Sequence, residues 1–434
     1  MPTMDQKTSQ RTLLKWSLIG LAIRFLIMPF TMHTWDILFI YYFPYQGLKH
    51  GIFDIYHFIQ QNFPDFHVPY YPPLAYFLTL GFLAILKFFL PQLDHFFGLF
   101  ETWISTHGIG GGTIQYASLL ANTQLYRTLF FLKIPYLMFD FGTAFLLFRL
   151  AKDLDKGVLC YQLWMLNPAL LYDVYAVGQF DVIPVFLTTT ALYAAVRNKK
   201  EWAVIFLSLG GLVKVYPAIF LPLFWILLGE NMKERLKLLG VSLIPWMIVL
   251  IPLYISSNGY VLDSIFITHM LYNVTGGPIR KVLFIAGYAC LLVSVVRGGA
   301  VVCAKRAPLV NVTYLNALIL LVFLLYILVG LTKFRYLVWL SPFLILAIAQ
   351  DQKLAWLGAA LLVFLAEVHL SGNQVQWGLF DPICPTFFAS LPIMDSFLVA
   401  FSFPLAMIHK VSYFLFLGTT VVIGYRVWKW RNSY

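Results

Sequence analysis

Charged residues are scarce in this chain. Only 11% of its 434 residues are charged, whereas a soluble globular domain carries about 25%. Hydrophobic residues make up 60% and aromatic residues 18%. Apolar windows near the ~20 residues that a helix needs to cross a bilayer recur along the whole length. The composition therefore excludes an ordinary soluble domain and predicts an all-α polytopic membrane protein.

Other features are missing as well. The alternating segments of ~10 residues that mark the strands of a membrane barrel are absent. The chain has four cysteines, with neither metal-ligand spacing nor a disulfide framework, so we expect them to serve packing. The first apolar run is long and lacks a small-residue cleavage site. It is expected to be a retained span and not a signal peptide.

The formal net charge of +11 does not indicate a nucleic-acid partner, because the basic residues lie in short clusters between apolar runs. Placing these clusters in the cytoplasm predicts about 12 spans, with both termini cytoplasmic. The predicted spans are 13–31, 128–150, 158–177, 182–196, 202–214, 217–229, 238–256, 282–297, 309–331, 337–350, 354–370 and 407–427. The short pair 202–214 and 217–229 is predicted to be a broken pair that does not fully cross.

Residues 74–91 are apolar enough to cross, but a single crossing would invert every later basic loop. They are therefore predicted to lie in or re-enter the outer interface. The alternative is a second crossing within 98–126. The outer loops 32–126, 257–281 and 371–406 are long and aromatic, and all nine histidines lie on that side or at its boundary. This favours chemistry on the outer face, although aromatic and histidine side chains also simply anchor bundles at interfaces.

The first candidate residue is Asp36, in the stretch TMHTWDILFIYY at residues 31–42. An ionisable group at the end of a span is costly to desolvate and is a functional candidate, unless it merely faces water. The stretch YYPPLAYF at residues 70–77 is the second candidate. Its two prolines force an extended entry to a helix, and Tyr70 and Tyr71 can supply hydroxyls. The alternative is a plain turn.

Further candidates follow breaks in later spans. Gln179 and Asp181 come directly after Gly178, where they either bind a polar ligand or form a polar turn. Lys214 ends an apolar half-span on the outer side, where the charge rule disfavours a cation. A lysine near the start of the next half-helix suits a phosphate, although its stem can also snorkel to the interface.

Other cations are predicted on the outer side too. Arg280 precedes Lys281, and Lys333 and Arg335 lie in LTKFRYLVWLSPF. A guanidinium can bind a phosphate through two parallel hydrogen bonds. Arg24 and Asp140 lie inside spans, where they either pair with each other or stabilise the bundle, and they are interpreted as structural.

These motifs, in their order, resemble those of a known family. An acid follows the first span, and Gly51 to Tyr56, YPPL, Asn167-Pro168, GQFD, VKVYP and KFRYLVWLSPF come after it. The set is similar to the GT-C superfamily of polyprenyl-phosphate-sugar-dependent glycosyltransferases. Tyr126 to Leu228 looks most like the mannosyltransferases of glycosylphosphatidylinositol and N-glycan assembly and their bacterial and archaeal relatives. The resemblance covers roughly residues 13–230.

The resemblance implies a GT-C-like helical bundle with interfacial helices in the long first outer loop. It implies a membrane module at 1–230, followed by variable helices at 231–434. The implied reaction is an inverting transfer of a hexose, with mannose favoured, from a polyprenyl-phosphate donor to a hydroxyl of a lipid-linked or membrane-proximal acceptor. Asp36 would be the general base on the periplasmic, extracellular or lumenal face. No Asp-x-Asp or Glu-Asp pair follows the first span, so a metal-independent enzyme without a cofactor is expected.

The predicted site combines a base, donor ligands and sugar contacts. The predicted ligands of the donor phosphate are Lys214, Arg335, Lys333 and Arg280. The predicted substrate contacts are His33, Trp35, Tyr70, Tyr71, Gln179, Asp181 and His269. The competing hypotheses are a scaffold subunit of a membrane complex and a transporter or lipid flippase for a phosphate-bearing lipid or sugar. Transporters often have paired broken helices in two halves, and only the break near 214–217 is found here.

Overall fold

A computed structural model of the protein describes residues 6–62, 71–107, 124–256, 278–303, 311–329, 334–369, 376–393, 396, 399–400 and 405–431. Helices make up 87% of it, and no strand occurs among these residues. The predicted all-helical class is therefore confirmed. Within the described part, five helices are long and apolar enough to cross a membrane: Leu125–Leu150, Met232–Ser256, Ile279–Arg297, Val312–Val329 and Lys410–Lys429. They agree with the predicted membrane character.

The helices are labelled here in chain order. They are α1 Gln6–Ile27, α2 Thr34–His50, α3 Ile55–Asn62, α4 Pro73–Leu86, α5 Leu93–His107, α6 Leu125–Leu150, α7 Leu154–Met165, α8 Val182–Val196, α9 Lys200–Val213, α10 Leu221–Leu228, α11 Met232–Ser256, α12 Pro278–Cys303, α13 Val312–Val329, α14 Leu337–Gln350, α15 Lys353–His369, α16 Pro385–Ser390 and α17 Leu405–Arg431. The predicted segments 182–196 and 337–350 coincide with α8 and α14. The predicted break after residue 214 also appears, as a 3-10 turn over Tyr216–Phe220 between α9 and α10.

Two predicted spans extend well past the C-terminal end of a helix. The first was expected to reach residue 31, but α1 ends at Ile27. Pro29 explains the early end, because the residue before a proline is disfavoured in a helix. The span predicted at 158–177 is divided, since α7 ends at Met165. The chain then turns at Asn167, whose side chain accepts a hydrogen bond of 3.0 Å from the backbone N–H of Ala169.

A π-helical segment, Leu171–Val177, follows this turn and ends at Gly178. Gly178 has φ of +95°, in the left-handed region that favours glycine. A Cβ on Gly178 would lie 2.8 Å from Cβ of Ile37 in α2. The missing side chain thus lets α2 pack directly on the turn that carries residues 179–181. Short π-helical segments are frequent at functional sites.

The predicted structural pair of Arg24 and Asp140 is present. Nε of Arg24 lies 2.5 Å from Oδ2 of Asp140, and both side chains are fully buried. Trp164 donates to Oδ1 of Asp140 at 2.8 Å, and the Tyr175 hydroxyl donates to its Oδ2 at 2.6 Å. The network joins α1, α6, α7 and the π-helical segment around one buried carboxylate, so each of its charges has a partner.

The segment predicted at 74–91 forms α4 and a following turn. The helix has 14 residues and is about 21 Å long, which is shorter than the ~30 Å hydrocarbon core. The turn after α4 contacts the start of α6, because Arg127 in the first turn of α6 donates to the carbonyl oxygen of Phe89 at 2.8 Å. The alternative crossing within 98–126 falls partly on residues 108–123, which lie outside the described residues.

Candidate functional site

Asp36 lies in the first turn of α2. A carboxylate is favoured there, because helix N-termini carry partial positive charge. Two backbone hydrogen bonds hold the approach to this turn: Met32 N–H donates to Leu379 at 2.9 Å, and His33 N–H donates to Val177 at 3.0 Å. Nδ1 of His33 lies 2.6 Å from Oδ2 of Asp36. The predicted base is thus buried and adjacent to its histidine neighbour, whose side chain is 12% exposed.

Gln179 joins Asp36 to Tyr71. Its Nε2 donates to Oδ1 of Asp36 and lies 3.2 Å from the Tyr71 hydroxyl oxygen. Tyr71 is itself fixed, since its carbonyl oxygen accepts a 2.6 Å hydrogen bond from the Tyr56 hydroxyl. Its ring meets that of Phe180 edge-on, with centroids 4.7 Å apart. The three sequence candidates Asp36, Tyr71 and Gln179 therefore form one hydrogen-bonded group.

Lys214 directly follows α9 and forms an ion pair with Asp181. The second carboxylate oxygen of Asp181 accepts a 2.9 Å hydrogen bond from Nε1 of Trp339 in α14. Nζ of Lys214 also lies 5.1–5.8 Å from the ring centroids of Tyr71, Phe180 and Trp339. Rings at this distance attract a cation through their negative faces. The sequence did not predict that Asp181 and Lys214 bind each other.

Trp339 brings the late motif KFRYLVWLSPF to the site. Its ring stacks between those of Tyr216 and Tyr336, with both centroids 4.3 Å from that of Trp339. Tyr216 belongs to VKVYP, so the motifs of residues 213–217 and 333–343 are in contact. Because Trp339 also binds Asp181, the site draws on both predicted modules, 1–230 and 231–434.

Tyr71 is the point where the two groups meet. Gln179, which binds Asp36, approaches its hydroxyl, and the ammonium of Lys214 lies 5.8 Å from its ring centroid. Tyr71 therefore lies next to the cation and is joined to the carboxylate through one amide. Base catalysis at a hydroxyl beside a leaving phosphate needs both groups within one site.

Not every predicted residue is brought to this place. Arg280 lies in the first turn of α12, which packs mainly against α10 and α13, so its role as a phosphate ligand stays a prediction. Tyr70, His269 and Lys333 lie outside the described residues. The same holds for the side chains of Trp35 and Arg335, which belong to α2 and to the 3-10 turn before α14.

Two buried ionisable residues were missed by the sequence reasoning. Lys133 lies within the apolar run of α6, and its Nζ donates to three backbone carbonyls next to the site. The only signal was a lysine deep inside a predicted span. Asp381 lies in the turn that binds Met32 through Leu379. Neither of its carboxylate oxygens has a hydrogen-bond partner in the described structure. Burial raises the pKa of Asp381 from 3.8 to about 6.

Among the described residues, no group of three or more histidine, cysteine, aspartate or glutamate side chains is arranged to hold a metal ion. Metal independence of the site stays a prediction from the sequence.

No family model, no curated protein and no solved structure matches the chain. The likeness to the GT-C superfamily therefore rests on the motifs, and the function must be argued from the geometry of Asp36, Gln179, Tyr71 and Lys214.

Proposed function

We propose that this chain is an integral membrane glycosyltransferase of GT-C type. It would move a hexose, with mannose favoured, from a polyprenyl-phosphate donor to a hydroxyl of a lipid-linked or membrane-proximal acceptor. One observation carries the proposal: Asp36 and Lys214 both approach Tyr71, Asp36 through the side chain of Gln179 and Lys214 directly. The motifs had suggested these residues separately, and a base and a phosphate ligand must meet for this reaction.

Asp36 is the general base of the proposed reaction. As the acceptor oxygen attacks the anomeric carbon, its proton passes to the carboxylate of Asp36. The bond from that carbon to the phosphate oxygen breaks, and the phosphate leaves with the electron pair. Attack opposite to the leaving group inverts the anomeric centre. Gln179 and His33 flank the two carboxylate oxygens and orient them toward the acceptor.

Lys214 would compensate the charge of the leaving phosphate. Asp181, held in turn by Trp339, fixes its ammonium beside Tyr71 and Phe180. The side chain of Lys214 is 14% exposed, so it reaches the surface of the site while paired. Arg335 and Lys333 are proposed as further donor ligands on the strength of the sequence motif.

We also propose about twelve membrane segments, among them the broken pair 202–214 and 217–229 that does not fully cross, with the site on the non-cytoplasmic face. Lys200, at the start of α9, pairs with Glu230 and Glu234, whereas Lys214 at the other end of α9 belongs to the site. Ser256, at the end of α11, lies far from Glu234 in the first turn of that helix. Its hydroxyl donates at 3.0 Å to the carbonyl oxygen of Phe53, in the segment that follows α2. Such alternation supports segments that run from one end of the bundle to the other. The basic clusters favour the cytoplasm for the end opposite to the site.

The test is an Asp36→Asn variant reconstituted in nanodiscs. It is supplied with radiolabelled polyprenyl-phosphate mannose or glucose and a panel of lipid-linked acceptors. We expect transfer to fall about 100-fold or more, because general-base catalysis contributes about 10²–10⁴-fold. Asp54→Asn is the matched control, since Asp54 is an exposed acid in the segment after α2. Full turnover in the Asp36 variant would refute the assignment, and donor movement across proteoliposomes without transfer would favour a flippase.

A further inference from the structure

We infer that Lys133 is a positioning residue that sets the distance between Asp36 and Gln179. Its side chain is fully buried in α6. Nζ of Lys133 donates to the carbonyl oxygens of Met28 at 3.0 Å, Thr31 at 2.5 Å and Tyr175 at 2.7 Å. The expected effect of Lys133 on kcat rests on the proposed function, whereas its role in holding the two segments together does not.

The three acceptors explain how a lysine is tolerated at this depth. An ammonium has three N–H donors, and here each of them has a backbone acceptor. Met28 follows the end of α1, and Tyr175 lies in the last turn of the π-helical segment. Carbonyl groups at helix C-termini carry partial negative charge, which favours a cation there. Two helix ends thus converge on the single ammonium of Lys133.

The two segments that Lys133 joins are those that carry the proposed base and its partner. Further contacts extend the connection toward the site. The Thr31 hydroxyl is shared between the carbonyl oxygens of Ile27 at 2.8 Å and Tyr175 at 3.2 Å. His33 N–H donates to the carbonyl oxygen of Val177 at 3.0 Å. Asp36 lies three residues beyond His33, and Gln179 lies two residues beyond Val177. Displacing one segment from the other would therefore move the Asp36 carboxylate away from the Gln179 amide.

Lys133 acts through other residues and not on the substrate. All three of its N–H groups are used, and its side chain has no exposed surface. Lys214, by contrast, is 14% exposed and lies beside Tyr71. A phosphate or sugar could bind Lys133 only after the connection between the two segments had opened.

The first readout is amide hydrogen exchange of the full-length protein in nanodiscs, which needs no substrate. Lys133→Met keeps the side-chain length but removes all three donors. We expect exchange about tenfold faster or more in peptides covering residues 28–37 and 171–182, because hydrogen bonds to charged groups are among the stronger ones. Lys133→Arg keeps the charge and the donors, and should restore most of the protection.

Ser208→Ala is the matched control. It removes a buried bond from a side chain to the carbonyl of another helix, at Ser242, away from the two segments. It should leave exchange in residues 28–37 and 171–182 unchanged. If Lys133→Met does not fold, Thr31→Val weakens the same connection by removing the bond to Tyr175, and faster exchange is expected in the same peptides. Unchanged protection of both segments in these variants would overturn the inference.

Kinetics separate this inference from the proposed function. With polyprenyl-phosphate mannose as donor, folded Lys133→Met should lose about 100-fold in kcat, since a 1 Å misplacement can cost that much. The donor KM should change much less than kcat, because Lys214 itself lies outside both segments. If Lys133→Met exchanges faster but the wild type transfers no hexose, the positioning role is supported and the proposed function is refuted. A wild-type kcat in a variant with faster exchange would overturn the link between Lys133 and catalysis.

Discussion

Asp381 should make the stability of the protein depend on pH in an unusual direction. Its carboxylate is buried, has no hydrogen-bond partner among the described residues, and has a pKa raised from 3.8 to about 6. The folded state therefore binds this proton more tightly than the unfolded chain does. The resulting stabilisation is complete below pH 4 and is lost as the pH rises through 6.

The magnitude follows from the shift in pKa. A change of one pKa unit corresponds to about 1.4 kcal/mol, so the full shift of roughly two units amounts to about 3 kcal/mol. Most of this, on the order of 2 kcal/mol, is lost between pH 4 and pH 7. Asp381→Asn keeps the shape and removes the titration. Its amide adds buried N–H donors at all pH values, so the informative quantity is the pH dependence of the difference from wild type.

The assay is thermal unfolding in detergent between pH 4 and 8. The Tm of Asp381→Asn relative to wild type should rise with pH and level off above pH 7. Asp94→Asn is a control of opposite sign. A hydrogen bond from Lys87 lowers the pKa of Asp94, so the stabilisation by this acid is present at neutral pH and is lost as the pH falls. A Tm difference for Asp381→Asn that does not change with pH would refute the reasoning.

Three substitutions test the rest of the site in the donor assay. Lys214→Ala should raise the donor KM about 10-fold, because it removes a charge-assisted contact to phosphate, and an unchanged KM would remove Lys214 from the donor site. Gln179→Leu should lower kcat about 10-fold with little change in donor KM, since Asp36 loses its amide partner; a wild-type kcat would contradict this role. Trp339→Phe removes the donor to Asp181 and should raise donor KM a few-fold, whereas Trp225→Phe should not, because Nε1 of Trp225 has no described partner.

Much of the helical layout could be predicted, because membrane helices need long apolar runs and basic residues cluster in the loops between them. The segments 182–196 and 337–350 are read correctly at both ends. The errors arise where local backbone chemistry interrupts an apolar run. Pro29 ends α1 early, and Asn167 caps a turn inside a stretch that is apolar enough to pass for one span.

Side-chain pairing across helices was harder to predict, because it depends on how each helix is rotated about its axis. Asp181 and Lys214 were both expected to contact substrate, and the structure shows that they bind each other. The contact between Arg24 and Asp140 was easier to predict, because two opposite charges inside apolar spans have few other partners.

Lys133 shows why some functional positions leave little trace in a sequence. Its partners are the backbone carbonyls of Met28, Thr31 and Tyr175, which any residue type would supply. A pattern search for charged partners therefore passes over it. The charge rule that singled out Lys214 does not find Lys133, but a lysine inside an apolar span is itself a functional candidate. In this protein the ammonium of Lys133 is held by two converging helix ends in place of a carboxylate, and the segments beyond those ends carry the candidate site.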